Sequence, residues 1–415
     1  MFSVHLFLVS LLLLAIELNA QQISPQQMLG ATLVQNPSGH QTVTNLIPSI
    51  SPFKCVEAYL SADTTYGGTD YGKAITAAVA ASSLTTPTQI MVCSPGDHKV
   101  YTTATIDRPI ALFAYGSRLI PQTSLSSTPI TTSAVATAGS STVVVSSALG
   151  LKVGMTVGGV GITPGSYITA ISGNNVTLSL IPQLQFYAIA TAGSSVIRGV
   201  SSMSGLATGK KLSGIGNWPF VSGVTNISSI NPVNNTITLS SAATSGSITP
   251  NTFIVGDSWT TSLTAVSTKP VIRFIRNNAA LQNQYTQMIG ASMHGVWIAD
   301  PDPNGRSLSG VQGVQISGYD GFNSFDLRID NLVGSGEILG GNLTDTGQLL
   351  EPWTAVRESS FVNDQIRNSG DAHTGQAALA IHTPYEKAAI PADEINGINF
   401  IGGHYNCSNA IMEMP

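Results

Sequence analysis

The chain has 415 residues, 42% of them hydrophobic and 9% charged, with a formal net charge of −5 at neutral pH. That charge content is far below the usual share of about a quarter, and no basic run occurs anywhere, which argues against a nucleic-acid partner. An acidic polysaccharide would need a local basic patch or a bridging cation, because the overall field does not attract it. The length is ample for a buried core; Thr, Ser, Asn and Gly replace the missing charge, and the polar-neutral, β-branched bias favours stacked strands over helices.

Met1 to Ala20 reads as a signal peptide. Leu6 to Ile16 is an apolar run too short to span a bilayer, and Leu18-Asn19-Ala20 offers a cleavage site before Gln21-Gln22. His5 stands where Lys or Arg is usual, and the alternative reading is an uncleaved anchor. Export with cleavage after Ala20 is expected, and no later segment has the character of a membrane span. Residues 21–53, rich in Gln, Ser, Pro and Asn, read as a linker or extended cap strand.

Residues 54–129 open the ordered part. Asp70 is placed to cap a helix near residues 70–83, in which Ala74, Ile75, Ala78 and Val79 form one apolar stripe. A break at Thr86-Pro87, the apolar strand Gln89-Ile90-Met91-Val92 and a turn at Pro95-Gly96 follow, then a strand at Ile110-Ala111-Leu112-Phe113-Ala114. Such a helix would cover the open end of a stack of strands. Cys55 and Cys93 sit at strand ends, where a disulfide and two buried thiols are both open readings, and Cys407 is left over.

Residues 130–265 change character. Ala136-Thr137-Ala138-Gly139-Ser140-Ser141 recurs as Ala190-Thr191-Ala192-Gly193-Ser194-Ser195, and Asn175-Val176-Thr177-Leu178-Ser179 is matched by Thr236-Ile237-Thr238-Leu239-Ser240. Two small β-modules, 130–188 and 189–265, are expected, inserted into the surrounding fold as spacers or binding platforms. From Lys269 the first pattern resumes through 266–415. Strands such as His294-Gly295-Val296-Trp297-Ile298, Phe325-Asp326-Leu327-Arg328-Ile329, Ser360-Phe361-Val362-Asn363 and Asn396-Gly397-Ile398-Asn399-Phe400 alternate with Gly313-Val314-Gln315-Ile316, Gly336-Glu337-Ile338-Leu339, Ala377-Ala378-Leu379-Ala380-Ile381 and Asn409-Ala410-Ile411-Met412. The stop at Pro415, inside the last strand pair, gives the expectation of either an unusual cap or a fragment whose full product has further coils or a C-terminal domain.

Gly68-Thr69-Asp70, Ala74-Ile75, Ile90-Met91-Val92 and Pro95-Gly96-Asp97-His98, in that order, resemble the opening of the pectate-lyase superfamily, the pectin-lyase-like proteins. The resemblance covers 54–121 and, more weakly, 270–415. It implies an all-β right-handed parallel β-helix with an N-terminal cap helix. These opening motifs carry no catalytic residue, and they occur in polysaccharide lyases, glycoside hydrolases and phage tailspikes alike, so fold does not fix chemistry. The polygalacturonase pattern is absent, with Asn363-Asp364 and Gly403-His404 its faint echoes, and so is the Arg-x-Pro-x-x-Arg element of many pectate lyases.

The most charged strand supplies the candidate site. With a period of two, Phe325, Leu327 and Ile329 point inward, and Asp326, Arg328 and Asp330 point outward. Aligning Leu327 with Phe361 stacks Asp364 over Asp330, one strand spacing (~4.8 Å) away. Two carboxylates that close either raise one pKa or share a cation. The first outcome would suit glycoside hydrolysis, and the second a Ca2+ at Asp330 and Asp364 serving a lyase. Arg328 or Arg367 would hold a sugar carboxylate, and Asp371 and His373 on the following loop add a base. The bland reading is a solvated ladder of modest ion pairs. Trp297, Tyr319 and Trp353 are the candidate sugar platforms.

The expectation is therefore a secreted carbohydrate-active protein that binds and cleaves a polysaccharide, pectin-like by resemblance, as lyase or hydrolase. The alternative is a non-catalytic surface adhesin or tailspike-like glycan-binding fibre. The first would be a monomer and the second a trimer.

Overall fold

A computed structural model describes residues 53–61, 65–215, 219–220, 225–247, 249–275, 288–302, 306–340, 356–382, 395–407 and 412–413. The expected signal peptide, the linker before Phe53, Trp353 and residues 409–411 lie outside them. Among the described residues no helix is long and apolar enough to cross a membrane.

Asp70 caps the helix Tyr71–Ala80, its Oδ1 accepting the Gly72 N–H at 3.0 Å. The same carboxylate accepts from the Tyr101 N–H at 3.0 Å and the Thr102 hydroxyl at 2.7 Å, which ties the helix start to the strands beneath. Ala74, Ile75, Ala78 and Val79 are the buried stripe.

Four sheets pair in parallel throughout. Sheet I takes Lys54–Cys55, Thr88–Met91, Ile110–Phe113, Ser292–His294, Asn323–Phe325, Ser360–Val362 and Asn399–Ile401 in that order. Sheet II runs Gly96–Val100, Ser117–Pro121, Trp297–Ala299, Arg328–Asp330, Gln365–Ser369 and His404–Cys407. Sheet III runs Ala104–Ile106, Lys269–Phe274, Val311–Ile316, Glu337–Gly340, Leu379–His382 and Met412–Glu413. The short sheet IV holds Met288–Ile289, Tyr319–Asp320, Val356–Arg357 and Ile395–Asn396. The chain visits I, II and III in turn, so each circuit lays one coil on the last, and we number the coils one to six from Thr88.

The bends between sheets recur at equivalent positions. Gly290, Gly321, Glu358 and Gly397 have φ of 83°, 67°, 48° and 63° where the chain enters sheet I. Gly295, Asp326, Asn363 and Gly402 have φ of 60°, 56°, 59° and 67° between sheets I and II. A left-handed residue turns the strand sharply, and Gly, Asn and Asp bear that conformation best. Side-chain amides repeat across coils: Asn363 Nδ2 donates to Asp326 Oδ1 at 2.7 Å at the second of these bends, and Asn368 Nδ2 to Asn331 Oδ1 at 2.9 Å at the far end of sheet II. Inside, Leu112, Met293 and Phe361 come from sheet I, Leu119, Ile298, Ile329 and Ile366 from sheet II, and Ile272, Val314 and Leu379 from sheet III.

The bend at Asp326 corrects two expectations. It interrupts the period of two, so Ser324 faces the interior, fully buried, and Phe325 faces out. It also sets the coil register. Arg328 pairs with Gln365, Ile329 with Ile366 and Asp330 with Arg367, so Asp364 lies beside Leu327 and not over Asp330.

Between the coil-two strands Ser117–Pro121 and Lys269–Phe274, the chain leaves to build two antiparallel sheets of six strands each. Each repeats one topology. In one, the hairpin Ile168–Ser172/Asn175–Leu178 pairs onward with Thr142–Val145, and in the other Thr225–Asn231/Thr236–Leu239 pairs onward with Val196–Arg198. Their closing strands are nested. Asn251–Val255 joins Gln185–Ala188 to Lys211–Ile215, whereas Ser258–Val266 joins Ile130–Thr137 to Thr156–Gly158. The second copy thus lies within the first, and the linear division at 188/189 gives way to a strand order that closes from inside outward. Trp259, Phe186 and Phe253 fill their core. Gly375 is backed against this part, because a Cβ there would stand 2.2 Å from the Val157 carbonyl oxygen.

Cys55 and Cys93 form a disulfide across a separation of 38 residues, with Cα atoms 5.5 Å apart, so that of the two open readings the bridge is the one adopted. The double replacement Cys55→Ser/Cys93→Ser is expected to cost about 4 kcal/mol from the loop it reopens, read as a lower denaturant midpoint. At the bend, Asp326→Gly should change stability by less than about 0.5 kcal/mol, whereas Asp326→Val should cost about 1–3 kcal/mol. Equal melting of the two variants would remove the left-handed bend from the account.

Candidate functional site

The outer surfaces of sheets I and II meet along the Gly295/Asp326/Asn363/Gly402 bend, and here the polar and aromatic side chains of successive coils line up. On the sheet I side, Phe113, His294 and Phe325 occupy one register row. Their rings stack outside the coil, with centroids 4.4 and 4.9 Å apart. Burial in this ladder lowers the His294 pKa, which keeps its ring neutral at pH 7.

On the sheet II side, Arg118, Trp297 and Arg328 form the corresponding row. The guanidinium carbons lie 5.1 Å (Arg118) and 4.4 Å (Arg328) from the indole centroid, so the neighbouring coils bring a cation to each side of the ring. Asp97 anchors the first arginine in a two-pronged pair, and the guanidinium holds the Asp97 carboxyl below its ordinary range. Asp330 anchors the second: its Oδ2 accepts from Arg328 Nε at 2.6 Å and from Trp297 Nε1 at 2.9 Å. Asp330 is therefore outward in direction yet only 8% exposed.

Tyr115 crosses the bend between these rows. A Cβ on Gly295 would lie 2.2 Å from Tyr115 Cδ1, so the missing side chain is what lets the phenol ring lie flat on coil three. Its hydroxyl then reaches coil four and donates to Asp326 Oδ2 at 3.2 Å. Asp326 Oδ1 in turn accepts from Asn363 of coil five. Burial, followed by the Asp326 charge, raises the Tyr115 pKa and keeps the phenol protonated. Even so, Tyr115 is 57% exposed, leaving a broad aromatic surface toward solvent with amide and carboxylate groups at its edge.

The residues expected from sequence are thus divided. Asp326, Arg328 and Asp330 share the outer surface, and Arg367 joins them beside Asp330, donating to Gln365 Oε1. Asp364 does not: it is 1% exposed, in the coil interior, with Oδ1 accepting the Leu327 N–H at 3.0 Å. Burial is the main cause that lifts its pKa to about 6. Asp330 and Asp364, the pair expected to share a cation, face opposite sides of the wall, and Asp330 is held by Arg328. Asp371 and His373 form a local turn, with the Asp371 carboxylate meeting the His373 N–H and ring Nδ1, each at 3.1 Å, and the Thr374 hydroxyl at 2.9 Å.

Of the platforms expected from sequence, Tyr319 is fully buried and donates to the Ile106 carbonyl at 3.2 Å, while Trp297 lies between two guanidinium groups. The exposed platform, Tyr115, was missed because it follows a strand in a turn. Its signal was a Tyr-Gly turn just after Phe113, the register partner of His294, with Gly295 next in the chain on the following coil. Glu337, a second buried acid, was missed inside an apolar strand. A lone carboxylate between Gly336 and Ile338 was its signal.

No family model and no curated protein matches the chain. Among solved structures it is similar to the tailspike protein gp49 from Pseudomonas phage LKA1, with 12% identity and a TM-score of 0.21, over 92% of this chain and 55% of that one. It is also similar to the gp54 tailspike of Acinetobacter baumannii bacteriophage AP22, solved in complex with A. baumannii capsular saccharide, with 11% identity and a TM-score of 0.14, over 85% of this chain and 59% of that one. The chain therefore spans between half and two thirds of the length of these tailspikes.

Proposed function

We propose that the chain is a glycan-binding protein on a right-handed parallel β-helix, and that it holds a polysaccharide along the outer bend of sheets I and II without cleaving it there. The hand follows from the strong preference for right-handed crossovers between parallel strands. The observation that carries the binding reading is Tyr115, lying flat across coil three with one ring surface toward solvent. Aromatic surfaces flanked by fixed polar groups suit the apolar faces and hydroxyls of sugar rings. The flanking rows, Phe113, His294 and Phe325 and Arg118, Trp297 and Arg328, step from coil to coil at ~4.8 Å, so the surface is linear, as a polymer requires. The disulfide suits an oxidising compartment, in keeping with export to where polymeric glycans occur.

Binding is favoured over cleavage by where the acids lie. Hydrolysis needs one carboxyl that holds a proton and a second that faces the same bond. The carboxyl groups whose proton affinity burial has raised, Asp364 and Glu337, are inside the coil. On the outer surface, Asp330 is fixed by Arg328 and Trp297, and Asp326 by Tyr115 and Asn363.

Binding to a panel of neutral and acidic polysaccharides, with parallel assays for new reducing ends and unsaturated uronates, tests this reading. Tyr115→Ala is expected to weaken binding about tenfold, the equivalent of about 1.4 kcal/mol. Gly295→Ala, which touches no sugar, should act similarly by lifting the ring. Cleavage products abolished by Asp330→Asn would establish the enzymatic alternative, and unchanged affinity in both Tyr115→Ala and Gly295→Ala would remove the proposed surface.

A further inference from the structure

The coil interior changes character toward the later coils. Sheet III places Ile272, Val314, Glu337 and Leu379 in one inward row, so Glu337 stands where its neighbours are aliphatic. After the bend, Leu327 is followed one coil on by Asp364. In sheet II, Ile298, Ile329 and Ile366 are followed by Tyr405. In sheet I, Ser324 lies between Met293 and Phe361. Four polar side chains thus enter coils four to six.

They are not satisfied by one another. Glu337 and Ser324 are 0% exposed and Asp364 1%. Among the described residues, Glu337 Oε1 and Oε2, Asp364 Oδ2 and the Ser324 hydroxyl have no hydrogen-bond partner. The Asp364 charge acts on Glu337, Ser324 lies beside Asp364, and Tyr405 lies beside Glu337, close enough to interact though outside good hydrogen-bond geometry. A further charge acting on Asp364 is Asp326, again negative, and among the described residues no Lys or Arg acts on either acid. Buried carboxylates without a counter-charge are strongly unfavourable, and buried polar groups without partners add to that cost.

We propose that Glu337, Asp364, Ser324 and Tyr405 hold a hard divalent cation of the Ca2+ class inside the coil. Oxygen donors of this kind, two carboxylates and two hydroxyls, match its preference. A coordinated ion would neutralise the acids and occupy the orphaned oxygens at once. A proton on each carboxyl would remove charge but leave the Ser324 hydroxyl and the remaining oxygens unbonded. The buried position implies uptake as the coils form, so that the cation belongs to folding. The site is separate from the glycan surface, and neither reading depends on the other.

The test uses the full chain, unfolded and refolded in EDTA or in Ca2+, with metal content measured by mass spectrometry and thermal unfolding followed by circular dichroism. The expected result is one Ca2+ retained per chain after dialysis, a melting midpoint several degrees lower after refolding in EDTA, and Tb3+ emission sensitised through Tyr405. Glu337→Gln and Asp364→Asn should each lose the retained ion. If either variant does not fold, the wild-type metal content and EDTA response decide alone. A protein refolded in Ca2+ that retains none and melts independently of EDTA overturns the proposal, as does an ion retained in both variants. The acids would then be protonated. Their raised folded pKa values would make stability greatest below the ordinary carboxylate range and let it fall as pH rises through about 6.

Discussion

Everything in this fold depends on the left-handed bends that recur from coil to coil. A strand alternates in and out with a period of two, and one residue of slip moves every side chain to the other side of the wall. Each bend resets that count. Because Gly295, Asp326, Asn363 and Gly402 occupy equivalent corners, the residues on either side stay in register, and Arg118, Trp297 and Arg328 stack outside while Ile298, Ile329 and Ile366 stack inside. The outer aromatic surface and the inner acids are two consequences of one geometric repeat.

The same repeat explains how the fold tolerates a long excursion. Coil two leaves after Pro121 and resumes at Lys269, yet Ile272 still pairs with Ala104 beneath and Val314 above. Parallel pairing with both neighbours fixes where the chain must return, whatever it does between. The excursion carries its own core around Trp259, Phe186 and Phe253, and its nested closing strands let one copy fold inside the other. Few charges are needed when polarity is met by Thr, Ser and Asn side chains bonding across strands, as Thr132 and Thr225 do with Ser146 and Ser241 at 3.0 Å.

Much of this was legible in the sequence. Asp70 as a cap, the stripe of Ala74, Ile75, Ala78 and Val79, the strand families and the repeated β-segments follow from spacing and residue type alone. The register was not legible, because the corner residues differ chemically: Gly, Asp, Asn and Gly share a backbone conformation but no side chain. Aligning Leu327 with Phe361 matched two apolar residues on opposite sides of the bend, and it brought Asp364 onto Asp330 when a wall lies between them. Tyr115 escaped for a related reason, since its value as a platform comes from Gly295 one coil away. Glu337 is invisible to periodicity because an inward position does not announce that its neighbours on other sheets are also polar.

The register is the claim on which the outer surface and the interior site both rest, and engineered cross-linking tests it most directly. In the double substitution Arg328→Cys/Gln365→Cys, the two positions are paired on adjacent parallel strands, about 4.8 Å apart, within the range a disulfide spans. Mild oxidation of the folded protein should join them within one chain, and Asp330→Cys/Asp364→Cys should stay reduced, because one side chain faces out and the other in. Efficient cross-linking of the second pair and not the first would contradict the account, returning Asp364 to the surface above Asp330.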